Sequence, residues 1–367
     1  DVHPPAKLQM TETPFPRRRD LLGLASGAAS LALLPGSGAF ALTITQAPPK
    51  SPASVAFLSP DAGAAAFDQP GDTYYANMGL LEARARTRSP LAGLSLVDAR
   101  KAVHDFDAAA VLPFSEREQI ALRGVIDGMQ ASLEIAAPLY ARTPWSFIKL
   151  DDRAEGGMPH TRGPHIVLPK AAAEGYARMH RQMLEGGKLS VTPRGRSLLL
   201  HEQTHVLERA NPALFEPLFT DVFGFTRMTP APTTPWLDAH VCANPDGPDL
   251  AWAFALDQVG GSGWLMPYVT VPDKAVPRMP DDFQAIGVEV VRTADGWKVV
   301  ERDGVPVRRD LDAIPGYHAH FPFPAEDFHP NEIAAVALAH LLVHDVADPD
   351  GRPSMAGVRG WAGAALR

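Results

Sequence analysis

Residues 192–212 read TPRGRSLLLHEQTHVLERANP. Thr192 and Pro193 open a helix: the threonine hydroxyl caps free N–H groups, and a proline at the first helical position has no N–H to leave unsatisfied. Leu198, Leu199, Leu200 and Val206 carry the helix to about Ala210, and Asn211-Pro212 ends it and starts the next one. Inside it stand His201, Glu202 and His205. Positions four apart lie one turn above each other on one face. Both imidazoles can therefore meet a single ion at about 2.0–2.1 Å. Glu202, next to the first histidine, can reach a water on that ion without ligating it. An ion that polarises a carbonyl and acidifies water, beside a carboxylate that takes the proton, is what a hydrolase needs. A five-residue motif also arises by chance, and the plainer reading is two histidines at a coincidental spacing. The leucines before the pair and Val206-Leu207 after it speak against a solvated helix.

Upstream, residues 72–87 and 97–110 have helical character. Residues 114–137 show a stronger pattern, with Ile120, Leu122, Val125, Ile126, Met129 and Leu133 at helical spacing and Ser115 placed to start the helix. Trp145–Leu150 reads as a strand, Gly156-Gly157 as a turn, and His165–Pro169 as a second strand whose terminal proline favours a sheet edge. Residues 171–187 read as another helix. Downstream, residues 230–283 are rich in Pro and Gly and read mostly as loop. Val288–Arg292, Trp297–Glu301 and Val305–Arg308 alternate around Ala294-Asp295-Gly296 and Asp303-Gly304, which predicts a small antiparallel meander. A last helix starts at Pro330 and runs to about His344. No internal repeat is present. The expected class is α+β, helix-rich, with a small antiparallel sheet.

The chain has 367 residues, 46% hydrophobic and 21% charged, enough to bury a large core. Its net charge of -8, with no basic stripe, argues against a nucleic-acid partner. Cys242 is the single cysteine, so neither an internal disulfide nor a thiolate metal site can form. A metal must be held by histidines and carboxylates. Cys242 itself reads as a small buried side chain rather than a nucleophile. The 36 prolines, roughly double average usage, predict many ordered but irregular connections.

Near the N-terminus, Arg17-Arg18-Arg19 precede a weakly apolar run from Leu21 to Leu34, and Ala39-Phe40-Ala41 follows as a small-x-small cleavage pattern. Arg18 and Arg19 before Asp20-Leu21-Leu22 resemble the twin-arginine export signal of bacteria. The run is shorter than the roughly 20 residues a membrane span needs. The expectation is a signal peptide over 1–41, a Pro/Ala-rich arm or linker over 42–70, and a single domain over 71–367 that works in the periplasm or outside the cell.

With His201-Glu202-x-x-His205, the chain resembles the zincin metallopeptidases, and specifically the gluzincin kind, whose third ligand is a distant Glu. The resemblance implies a zincin-like catalytic domain, a zinc ion and a peptide or protein substrate. In His329-Pro330-Asn331-Glu332-Ile333, the Asn-Glu pair opening a helix is similar to the gluzincin third-ligand helix, which assigns Glu332 beside His201 and His205. Glu332 also suits the helix dipole as an ordinary helix start. In the gluzincin pattern an acid four residues after the ligand often orients a histidine; here that position is Val336. The resemblance covers these two short segments. The family also implies that an edge strand upstream of the active helix takes substrate by strand addition, a place His165–Pro169 would fill. Tyr317, His318, His320 and Arg162 are candidates for steadying an oxyanion. Asn244-Pro245-Asp246-Gly247 reads first as a turn that can border the site. His340 and His344, four apart without an adjacent Glu, read as core residues or as supports of the ligands. Two other functions fit the same residues: a non-haem iron enzyme with a two-His, one-carboxylate site, and a non-catalytic peptidase-like binding protein. Oligomeric state is not encoded in any of these features.

Overall fold

The computed structural model describes residues 53–69, 72–186, 193–247, 250–321, 328–344 and 353–367. All of them belong to one unit, Ala41–Arg367. The export signal expected over 1–41 lies outside the described residues, and so does Thr192, expected as a helix cap.

Along the chain, strand β1 (Val55–Phe57) leads into a short helix over Pro60–Ala65. The described part of the segment expected as an arm is thus ordered: Val55 and Phe57 pack on the main core, and Ser59 caps the helix. Helices α1 (Leu80–Thr87) and α2 (Leu96–Ala109) follow, then β2 (Val111–Leu112) and the long α3 (Glu116–Ala136). Helix α3 begins with a reciprocal cap: the Ser115 hydroxyl accepts the Glu118 N–H, and Glu118 accepts the Ser115 N–H. Next come β3 (Trp145–Leu150), β4 (His160–Arg162), β5 (His165–Pro169), α4 (Lys170–Gly186) and α5 (Pro193–Ala210).

These strands make a five-stranded sheet in the order β1-β3-β5-β4, with β2 also pairing β3. The β1–β3 and β3–β5 ladders are parallel, whereas β4 and β2 run antiparallel to their neighbours. Side chains alternate between the faces. Trp145, Phe147, Ile166 and Leu168 enter the main core with Leu122, Ile126 and Leu133 of α3 and Leu199 and Leu200 of α5. Ile148, Leu150 and Val167 meet Phe67 and Val111 on the other side. Burial on both faces explains why β3 and β5 are almost continuously apolar.

One expectation is corrected here. β5 is not an edge strand, because β4 lies beyond it. Pro169 is tolerated because β4 pairs only with His165–Val167, so the proline sits past the end of that ladder.

The second half carries β6 (Phe225–Arg227), β7 (Trp252–Ala255), β8 (Trp264–Thr270), β9 (Gln284–Thr293) and β10 (Gly296–Val299). A hairpin of β11 (Glu301–Arg302) and β12 (Val305–Pro306) precedes β13 (Arg308–Asp310). A six-stranded antiparallel sheet runs β10-β9-β8-β7-β6, with β13 added on β9. Residues 230–283 are mostly irregular, as expected, and they also hold two central strands and a helix over Pro235–His240. Pro267 disguises β8, yet it is paired on one side only: β7 meets β8 at Trp264 and Leu265, short of the proline. The expected meander is present, and Asp303 and Gly304 both take positive φ, as a two-residue hairpin turn demands.

Helix α6 (Pro330–His344) packs along α5, and α7 (Pro353–Ala365) closes the core through Met355, Val358 and Ala362. The three glycines of α7 lower its helix propensity and mask it in the sequence; packing overrides that preference. The helix-rich α+β, zincin-like class holds. Among the described residues no helix is long and apolar enough to cross a membrane.

Candidate metal centre

Helix α5 is gripped on nearly every side. Leu199, Leu200, Val206 and Leu207 are buried in the core. Thr204 is buried too, bonded to the Tyr140 hydroxyl at 2.6 Å and to its own helix at the Leu200 carbonyl. Gln203 donates to the carbonyls of Thr143 and Pro144. These contacts fix the rotation of the helix and so the direction of the remaining face, which carries His201, Glu202 and His205. Helix α6 lies alongside, and its first turn brings Glu332 to that face.

The three predicted ligands converge. His201 Nε2 and His205 Nε2 are 3.1 Å apart, and Glu332 Oε2 is 3.4 Å from the first and 3.5 Å from the second. Atoms at these separations lie on a circle of about 1.9 Å radius, so a point just off their plane is about 2.0–2.1 Å from all three, the length of zinc–nitrogen and zinc–oxygen bonds. Two imidazole nitrogens and a carboxylate oxygen this close together repel each other unless a cation or protons sit between them. The donor set therefore fits a divalent ion, and it matches the gluzincin-type arrangement of HExxH with a distant Glu. Among the described residues these three form the one cluster able to hold a metal. His205 is fully buried while 16% of the His201 side chain is exposed, so the centre opens to solvent on the His201 side.

The charges are mutually dependent. Burial opposes a charge on the His205 ring, but the Glu332 carboxylate and the hydrogen bonds to Glu208 and Glu332 outweigh it and hold its pKa well above the usual histidine range. Burial likewise works to raise Glu332, and the two rings overcome it and pull the carboxyl well below its ordinary value. Without a metal these charges favour a proton on the His205 ring, which a bound divalent ion would displace.

Glu202 is buried beside the triad and does not belong to it. Its pKa is pushed up to about 8, first by burial and then by the nearby carboxylates of Asp246 and Glu332, against the two histidines. Its Oε2 is buried with no hydrogen-bond partner among the described residues. An unsatisfied buried carboxylate oxygen is costly, and such atoms in native folds call for a chemical explanation.

The residue that orients His205 is Glu208, which accepts from Nδ1 at 3.0 Å. Its pKa is raised to about 7, chiefly by burial. It supplies from α5 itself the support that Val336 cannot supply from α6. It sits three residues after His205, a spacing readable in the sequence. Replacing Glu208 with alanine is expected to weaken metal retention by roughly 10–100-fold, because a ligating imidazole depends on the acceptor at its other nitrogen. Competition with a zinc chelator measures this, and unchanged retention would remove Glu208 from the centre.

The turn Asn244–Gly247 does border the site. Asn244 Nδ2 donates to Glu332 Oε1 at 3.4 Å, and Asn331 Nδ2 donates to the same oxygen at 3.3 Å. Asp246 Oδ1 accepts the Thr161 N–H at 2.6 Å and the Thr161 hydroxyl at 3.1 Å. The outer N–H of β4 is thus occupied. β5, expected to take substrate by strand addition, is an inner strand, and the strand outside it is already bonded at Thr161.

The oxyanion candidates lie in other settings. Arg162 is buried, bonded to Asp72 and stacked against Tyr74 and Tyr75. Tyr317 packs among Phe254 and Phe321, His318 bonds Asp312, and His320 bonds the Phe223 carbonyl. His340 is half-buried on α6 outside the metal cluster, and Cys242 is buried. Compared with models of known families, with curated proteins and with solved structures, the chain matches none of them.

Proposed function

We propose that the protein is a zinc-dependent hydrolase that cleaves peptide bonds, with Glu202 as general base. The observation that carries this reading is the buried, unpartnered Oε2 of Glu202 beside three convergent ligands. A bound zinc ion would supply Lewis acidity, polarising a substrate carbonyl and acidifying water. His201, His205 and Glu332 would hold it and leave a fourth position open. Glu202 takes the proton of the attacking water on its free Oε2 and then hands it to the leaving amine. A carboxyl whose pKa is raised by burial is suited to both halves of that transfer.

The same two histidines and carboxylate would also hold ferrous iron. Glu202 favours hydrolysis, because a base next to the centre has no evident task in oxygen activation. The acid absent at Val336 has a counterpart in Glu208, which supports His205 from α5. Purified chain loaded with zinc and incubated with a mixed peptide library is expected to yield cleavage products detected by mass spectrometry. A chelator should abolish them and added zinc restore them. Full zinc occupancy without any cleavage would reject the peptidase reading in favour of a binding protein.

A further inference from the structure

The loop from Ala243 to Gly247 is tethered more thoroughly than a surface turn requires. Buried Glu82 of α1 accepts the Ala243 N–H at 2.8 Å, and Arg86, paired with Glu82, donates to the Ala243 carbonyl at 3.4 Å. Arg209 of α5 donates to the Pro245 carbonyl. Asp246 is tied to Thr161 of β4. Gly247 is pressed against Asn331: a Cβ there would fall 2.6 Å from Asn331 Nδ2 and 2.8 Å from its Cγ, so any other residue would displace the Asn331 side chain. Three different elements thus hold one five-residue loop against the start of α6.

The loop's product is the hydrogen bond from Asn244 to Glu332. The Asn244 amide is not free to turn over, because its Oδ1 accepts the Asp246 N–H at 2.9 Å, which leaves Nδ2 to face Glu332. Asn331 Oδ1 lies against His329 Nδ1, and its Nδ2 faces Glu332. Two amide donors from different parts of the chain therefore meet at Glu332 Oε1, while Oε2 faces the two histidines. Each bond is long. Together they occupy the lone pairs that Oε1 would need in order to bind an ion.

We propose that Asn244 and Asn331 are positioning residues that restrict Glu332 to one-oxygen ligation and so keep a coordination position open for water and substrate. The proposal rests on the metal centre of the preceding section. A carboxylate can ligate through one oxygen or both. A second bound oxygen would crowd the position that water and substrate must share on the ion.

Cobalt(II) in place of zinc reports this directly, since four-coordinate cobalt absorbs visible light far more strongly than five- or six-coordinate cobalt. The wild-type chain is expected to give the intense four-coordinate bands. The N244L/N331L double variant, with the same branched side-chain skeleton but without donors, should lose at least half of that absorbance. It should also release zinc roughly 10–100-fold more readily to a chelator. Two further variants stand independently of whether the double variant folds. N244A removes one donor from a half-buried loop, and G247A pushes the Asn331 amide aside while leaving both donors in the chain. Both should shift the spectrum in the same direction. Metal-free unfolding temperatures establish that each variant is folded before its spectrum is read. If the wild type binds cobalt and the folded variants match its spectrum and zinc retention within twofold, the restriction on Glu332 is wrong and the metal centre stands. If the wild type takes up no cobalt or zinc, both are wrong.

Discussion

Glu202→Gln is expected to keep its metal and lose about 10³-fold or more of its turnover, within the range that positioned acid–base groups contribute. The amide matches the carboxylate in shape, so the packing of α5 is preserved and His201 and His205 stay in place. What disappears is the capacity to accept a proton at Oε2. Turnover of any cleaved peptide, together with zinc per chain by elemental analysis, separates the two effects. Activity within tenfold of wild type in a pure, zinc-loaded sample would sink the assignment.

A stability effect of defined sign accompanies the loss. The Glu202 pKa is raised in the fold to about 8, first by burial, so between the ordinary carboxyl range and about pH 8 the metal-free native state holds a proton that the unfolded chain has released. The contribution of Glu202 to native stability therefore falls with rising pH across that window. Glutamine carries no such proton, so the metal-free variant should lose this slope and be the more stable protein above about pH 8, and below pH 4 the two should coincide. Denaturant midpoints measured across pH test the sign.

Glu332→Ala is expected to abolish zinc-dependent stabilisation. A ligand that binds only the native state at 1,000 times its dissociation constant adds about 4.1 kcal/mol. At roughly 2 °C per kcal/mol for a large domain, zinc should raise the wild-type melting temperature by roughly 8 °C. With two histidines left, the variant should show little of that rise and retain no stoichiometric zinc after dialysis. Removing Glu332 also takes away the counter-charge that holds the His205 pKa up. The neutral ring then keeps its bond to Glu208, so the metal-free variant should still fold. A variant that binds zinc as tightly as wild type would assign the third ligand elsewhere.

The metal centre was legible in the sequence because its parts are local. His201 and His205 are one helical turn apart, and Glu332 opens a helix marked by Pro330. The strands β3 and β5 were legible because runs of buried apolar residues are short and bounded by turns. What escaped depended on partners distant in the chain. Asn244 meets Glu332 across 88 residues, and nothing in the order Asn-Pro-Asp-Gly distinguishes that contact from a plain turn. Pro267 hid β8, because its tolerance comes from where β7 stops pairing. The glycines of α7 hid a helix that the core holds in place. Glu208 was within reach of periodicity alone.

The bond from Thr161 to Asp246 bears on how one molecule meets another. A bare sheet margin presents a row of donors and acceptors that a second chain can zip onto, and natural proteins guard such margins with charge or cover. Here a half-buried carboxylate plugs the outermost amide of the five-stranded sheet and leaves a negative charge where an incoming strand would lay its own carbonyl. At Thr161 that margin is closed to an incoming strand, and the same residue that closes it belongs to the loop that steadies Glu332.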